Sequence, residues 1–347
     1  MYDPQVKGLN NKIGDVSSSH INSLIMVGES LGADRATILN QNRLTEQSLN
    51  DPEGRLGLVT LMKVGNSIIN YSNQPALGLI AGHRAVITAL GYPGLLAMSS
   101  DCLGEAVQAL THFEPIMGRC NRGQSSLDSS QARPVLSFYS IAPYNEYNLF
   151  VVDRALSAWY QIISWLTNRT DLVSSVHFEF EAPSYANEYK KYFKCPVFFG
   201  AESNALYLVE DALEVPVVYR NPIMFDSLLQ QCNQVLNDIS KTETIGQLVQ
   251  KALGPLLHES NPSLERVAEA LAMQPWTLRR RLSEQGLSFH TILEDMRKDL
   301  AINYVKNPKL SLGEIAYTMG FSSASAFQRA FKRWTGTTAG DFRKKTL

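Results

Sequence analysis

Six histidines and four cysteines are the residues to try first for metal binding or nucleophilic chemistry, and their spacing supports neither. Cys102, Cys120, Cys195 and Cys232 form no CxxC pair, and no histidine stands at ligand spacing from them. That argues against a zinc site and against a disulfide framework. They read as reduced thiols of a cytoplasmic protein or as small core residues. His83, His112 and His177 form no HxxxH pair, so no catalytic residue, metal ligand or cofactor is expected. A different chemistry is better placed near the C-terminus. Arg279 and Arg280 in one stretch, and Gln328 and Arg329 in another, carry donor patterns that fit base edges in a DNA major groove: Arg pairs with guanine and Gln with adenine. Trp276 and Thr277 precede the first pair, and Ser323 and Ser325 precede the second. Lys332 follows, offering a point charge for a phosphate. Trp276 has two readings, packing on a thymine methyl or covering the protein's own surface.

These side chains can act only if helices present them, and the sequence supplies two matching sets. Ser263-Leu264-Glu265-Arg266-Val267-Ala268 and Ser311-Leu312-Gly313-Glu314-Ile315-Ala316 repeat with a displacement of 48. Each serine can cap a helix by accepting a backbone N–H. Ala268 and Ala316 are small where a second helix must cross closely. A turn follows at Met273-Gln274 and at Gly320-Phe321-Ser322, and then a second helix, expected over Pro275–Glu284 and over 323–334. Pro275 fits a first helical turn, while Gly286 and Gly336 stop the two helices. Leu278 with Leu282, and Phe327 with Phe331, supply the apolar faces. A helix over 289–305 joins the two units. Two short helices, the second bearing Arg and Gln outward, make a helix-turn-helix.

Charge divides along the same line. Of 32 Lys and Arg and 33 Asp and Glu, residues 241–347 hold 16 and 10, leaving 16 and 23 for the rest. The C-terminal part is thus net +6 and the remainder net −7, so only the C-terminal part suits a polyanion. The rest mixes periods. Residues 56–71, 103–117 and 151–166 carry helical spacing, and Val135–Ser140 and 176–180 read as strands. Gly91-Tyr92-Pro93-Gly94 is a turn without the Lys and Ser/Thr of a phosphate loop. Tyr185, Tyr189, Tyr192 and Phe193 could line a pocket, pack in a core or form a lid. Phe225, Leu228, Leu229, Cys232, Val235, Leu236 and Ile239 mark one helical face that either dimerises or packs on its own domain. No apolar run approaches the roughly 20 residues of a membrane helix. Met1-Tyr2-Asp3-Pro4 does not open a secretory signal, which places the protein in the cytoplasm.

The second unit, SLGEIAYTMGFSSASAFQRAFKRWTGTTAGDFRK, closely resembles the DNA-binding domain of AraC/XylS transcription regulators. It carries Ala316-x-x-x-Gly320-Phe321, Phe327-x-Arg329-x-Phe331-Lys332-Arg333 and Gly336 with Phe342-Arg343. Thr338-Ala339 departs from the family, which usually has Pro there. Residues 20–220 resemble the arabinose-binding-type domain of a branch that includes ornithine-utilisation regulators, a likeness carried by residues 177–217, HFEFEAPSYANEYKKYFKCPVFFGAESNALYLVEDALEVPV. The resemblance implies an α+β effector-binding and dimerisation domain (1–235), a linker (236–245) and an all-α DNA-binding domain (246–345). The helix-turn-helix units fall at about 264–285 and 312–335. It also implies a ligand-responsive activator with operator DNA, a small-molecule effector and RNA polymerase as partners, working as a homodimer. A DNA alkyl-repair sensor with the same DNA-binding module needs a zinc–cysteine cluster that the sequence lacks. An architectural DNA-bending protein leaves the large acidic part without a purpose.

Overall fold

A computed structural model of the chain describes all residues except 1–13, 52–53, 121–122, 131, 141–148, 243, 258–261, 307–309, 320, 322 and 347. It divides into two compact units, the second beginning at Lys241.

The first unit is α+β. Strands β1 (Gly14–Ser17), β2 (Arg55–Gly57) and β3 (Gly118–Cys120) form a small antiparallel sheet in the order β2-β1-β3. Five more, β4 (Gly123–Asp128), β5 (Val135–Ser140), β6 (Val173–Phe178), β7 (Val197–Phe199) and β8 (Ala205–Leu208), form a second sheet ordered β4-β5-β8-β6-β7. Its only parallel pair is β6 with β7. In β5 burial alternates, so Leu136 and Phe138 face the core, as the period-2 rule requires. The described α-helices longer than four residues are α1 (Ser18–Ser30), α2 (Arg35–Asn42), α3 (Leu58–Ser72), α4 (Leu77–His83), α5 (Tyr92–Ser99), α6 (Leu103–His112), α7 (Leu149–Thr167) and α8 (Pro222–Thr242).

Helix α7 organises the unit. One face, with Leu156, Ile163 and Leu166, packs in a core with Leu136, Val176 and Phe178 of the large sheet. Phe150 turns instead to Ile21, Leu24, Leu61 and Ile68 of α1 and α3. Helix α4 crosses α7 closely enough that a Cβ on Gly78 would meet the Phe150 carbonyl oxygen at 2.3 Å. Only glycine permits that approach.

Three expectations need correction. The helix expected over 103–117 stops at His112, and a separate four-residue helix, Glu114–Met117, follows. Pro115 has no N–H to continue the ladder. The helix expected over 56–71 starts at Leu58, because Arg55–Gly57 pairs with β1. The linker expected at 236–245 is helical to Thr242, and the next helix starts at Ile245 with Thr244 as its cap. The polar sequence there continues the exposed side of an amphipathic helix.

The second unit is all helical: α9 (Ile245–Leu256), α10 (Leu264–Ala270), α11 (Pro275–Glu284), α12 (Phe289–Lys306), α13 (Leu312–Thr318), α14 (Ala324–Thr335) and α15 (Ala339–Thr346). Ile245, Val249, Leu253, Leu264, Val267, Leu278, Leu282, Ile292 and Leu293 make the first half's core. In the second half Ile315, Ala316, Phe327, Ala330, Phe331 and Ala339 are buried. Helix α12 contributes to both halves, Ile292 and Leu293 to one and the buried Leu300, Ala301, Tyr304 and Val305 further along.

Candidate nucleic-acid interface

Both helix-turn-helix units are built by the same local devices. Ser263 Oγ accepts from Arg266 N at 3.3 Å, and Ser311 forms a reciprocal capping box with Glu314. After α10 the chain closes a Schellman motif: Met273 N donates to Ala268 O at 2.8 Å and Ala272 N to Glu269 O at 2.9 Å. In the second unit Phe321 N donates to Ala316 O at 2.9 Å. The two turns are not identical. Residues 271–274 separate α10 from α11, whereas 319–323 separate α13 from α14. The displacement therefore grows from 48 at the caps to 49 in the second helices. Gly320 and Ser322 of the expected second turn lie outside the described residues.

Burial of Leu278 and Leu282 on α11, and of Phe327 and Phe331 on α14, fixes which face each helix turns outward. On α11 the outward ridge is Trp276, Arg280 and Glu284; on α14 it is Ser325, Arg329 and Arg333, each 49 residues later. Arg279 and Gln328 flank these ridges and are exposed. Thr277 is half-buried, Ser323 and Lys332 are exposed, and Trp276 keeps 64% of its surface open. The Arg280 guanidinium lies 5.6 Å from the Trp276 ring centroid, and its Nε is 3.6 Å from Glu284 Oε1. Trp276 thus has a partner on its own helix, a cation–π contact that orients Arg280. Ser323 caps α14, accepting from Ala326 N at 3.2 Å.

Two arginines that the family signature contains are bonded to partners of the same unit, Arg333 while remaining exposed on the outward ridge. Arg333 Nη2 donates to Glu294 Oε2 at 2.7 Å, and Trp334 Nε1 donates to the same oxygen at 2.8 Å. Burial pushes the Glu294 carboxyl up, but these two bonds outweigh it and hold the group below the usual carboxylate range. Arg343 Nε donates to Val305 O at 2.8 Å, tying α15 to the end of α12. These contacts fix the second helix-turn-helix against the joining helix.

With that geometry in view, comparison with known proteins is decisive. Residues 32–217 match the arabinose-binding domain of AraC transcription regulators, and residues 267–345 match a helix-turn-helix domain. This chain belongs to the AraC family. It is a DNA-binding transcription regulator with an effector domain. The ornithine utilization regulator of Pseudomonas aeruginosa is 28% identical over 95% of this chain and 96% of its own. The transcriptional regulator VqsM of the same species is 24% identical over 80% and 86%. The urease operon transcriptional activator of Escherichia coli is 40% identical, over 23% of this chain and 27% of its own.

The AraC-type effector domain holds buried polar groups that apolar spacing does not single out. Asp153, fully buried on α7, accepts from Tyr185 Oη at 2.8 Å and Tyr189 Oη at 2.6 Å. Burial raises its carboxyl to about 7, against the pull of the two hydroxyls. Tyr189 packs against Phe178, Phe193 and Phe199, so this aromatic group is core. Beside Asp153, Arg154 turns to α1. The signal was present: these are the only charges in the 19 residues of α7.

Among the described residues the histidines do not converge. His83 meets Tyr192 edge-on, His112 meets Phe113, and His177 shares a hydrogen bond with Ser175 Oγ at 3.1 Å. Among the described residues no three potential ligands cluster for a metal. Burial pushes Cys195 and Cys232 up to about 11, the opposite of a poised nucleophile. Gly91 caps α5, with Pro93 in its first turn. No described helix is long and apolar enough to cross a membrane.

Proposed function

We propose that this regulator is a ligand-responsive activator whose helices α11 and α14 read base edges in successive major grooves. The observation that carries the reading is the pair of equivalent outward ridges, Trp276–Arg280 and Ser325–Arg329, on a duplicated scaffold. Thr277, Arg279, Ser323 and Gln328 complete the base-reading faces, and Lys332 meets a phosphate. Successive major grooves on one side of B-DNA are about 34 Å apart. Activation brings RNA polymerase in as a further partner, and the reading places the protein in the cytoplasm. Its domains are those of the sequence reading, with the linker shortened to the residues around Thr244.

The effector domain binds a small molecule and shifts the population that engages the operator. Ornithine is the first compound to test, because the relative aligned along almost the whole chain is named for its utilisation. The test is operator titration with and without L-ornithine, against random DNA. An operator preference that L-ornithine changes supports the reading. Equal binding to operator and random DNA overturns it in favour of an architectural protein.

Homodimerisation belongs to the same proposal, with a revised surface. Leu228 and Cys232 of α8 are buried against Leu96, Ala109 and Phe113, and Leu229 and Leu236 pack there too. The apolar stripe is therefore largely spent on its own unit. Ile223, 86% exposed, and Met224 remain outward, near in sequence to Tyr219, which stacks on Trp165 at 4.8 Å.

A further inference from the structure

We infer that Arg154 is the receptor for a carboxylate on the small molecule that the effector domain binds, an assignment that rests on the effector reading above. Its guanidinium reaches from α7 to the first turns of α1, where Nη2 donates to Ser23 Oγ at 3.1 Å and to the His20 carbonyl oxygen at 3.4 Å. Ser23 Oγ in turn donates to that same carbonyl at 2.8 Å. Nη1 is shielded from solvent and has no hydrogen-bond partner. Among the described residues Arg154 has no ion pair. Its neighbour Asp153 is turned away and taken by Tyr185 and Tyr189.

An arginine in this state is costly. A half-buried guanidinium without a counter-charge loses part of its solvation, and the shielded, unpartnered Nη1 adds a further penalty. Two further features beside it favour an anion. Helix α1 has no acidic residue in its first turn and no side-chain cap, so apart from the bond from Ser18 N to Gly54 O no side-chain charge offsets its positive end. His20 is kept neutral, held well below its ordinary range by burial first and by Arg154 second. Burial lowers Arg154 itself to about 10. A carboxylate is the group that answers all three: it neutralises the guanidinium, gives Nη1 an acceptor and sits at a positive helix end.

The site also has a route to the rest of the unit. Among the described residues the hydrogen bonds from Arg154 to α1 run through His20 and Ser23, so a ligand oxygen competing for the guanidinium loosens that attachment. On the other side of Arg154 its backbone is locked: a Cβ on Gly82 of α4 would meet the Arg154 carbonyl oxygen at 2.5 Å.

The experiment is calorimetric titration of the full chain, at fixed pH and ionic strength, with L-ornithine, L-glutamate and hexanoate, each against its carboxamide, and with inorganic phosphate. At least one carboxylate should bind, with its amide at least tenfold weaker. Arg154→Gln should weaken that carboxylate at least tenfold, and Arg154→Lys should retain part of the affinity. Without ligand, Arg154→Gln should melt no lower than the natural protein, since it removes an uncompensated cation, whereas a purely structural arginine would lower the melting point. If L-ornithine fails while another carboxylate meets these criteria, the ornithine reading falls and the site stands. The proposal is overturned if no carboxylate binds the natural protein better than its amide, if only phosphate binds, or if Arg154→Gln binds as well as the natural protein.

Discussion

At the scale of single residues, the recognition unit separates side chains that face outward from those that hold the fold. Arg280 and Arg329 stand on equivalent outward ridges, so each replacement by Ala should cost about 1–3 kcal/mol on the operator and relax preference at one base position. Lys332→Ala should weaken operator and random DNA alike and lower the salt slope by about one. Titrations at several salt concentrations separate the two cases; parallel losses on both DNAs for the arginine variants would refute base reading. Arg333 and Arg343 share the positive charge of this region but are bonded to Glu294 and to the Val305 carbonyl. In the effector domain the decisive residue is Asp153. Folding raises its carboxyl from the ordinary range to about 7, so the folded state holds a proton that the unfolded chain has lost. Stability is then highest below the unfolded value near 3.8 as far as this group is concerned, and falls as pH rises to about 7. Asp153→Asn should flatten that decline between pH 5 and 7.5 in melting experiments. An unchanged slope would assign it to other groups.

At the scale of elements, the helix ends set the geometry. The first turn closes with Ala272 at φ +50°, in the place where Gly286 ends α11 at φ +68°. A left-handed L-residue costs about 1–2 kcal/mol, and glycine gives back about 0.5–1 of that through its freer unfolded chain. Ala272→Gly should therefore stabilise the second unit by about 0.5–1 kcal/mol, read from denaturant midpoints at constant slope. A loss of stability would show that the alanine methyl has a packing role. The one-residue difference between the two turns rotates nothing by itself, because each second helix is re-anchored by its own apolar pair. Leu278 and Leu282 do this in the first unit, and Phe327 and Phe331 in the second.

At the scale of the molecule, the two units have separate cores, and the second carries the excess of basic charge. Residues 241–347 should fold alone and bind operator DNA without any effector response. Circular dichroism and titration against the full chain check this. A fragment without helical content would mean that α9 to α15 need the first unit. Affinity below that of the full chain is expected where the missing part supplied avidity.

How much of this was legible in the sequence follows from range. The caps Ser263 and Ser311, helix Pro275–Glu284, strand Val135–Ser140 and the stop at Gly336 are set by residues three or four positions apart, and the chain alone determines them. The outward placement of Arg280 and Arg329 follows as well, because an apolar pair on a helix names the opposite face. Other features needed the tertiary structure. The polar end of α8 looked like a linker because helical continuation there is not signalled by apolar spacing. The stripe on α8 was open to two partners, and only the fold puts Leu228 and Cys232 against Leu96 and Phe113. Arg333 and Arg343 look like any surface cations until Glu294 and Val305, nearly forty residues away in sequence, come beside them. Asp153 and Arg154, adjacent in the chain and alone in an apolar helix, look like an ordinary charge pair. The fold sends one to two tyrosines and the other to an uncapped helix, because neighbours on a helix point about 100° apart and so meet different surroundings.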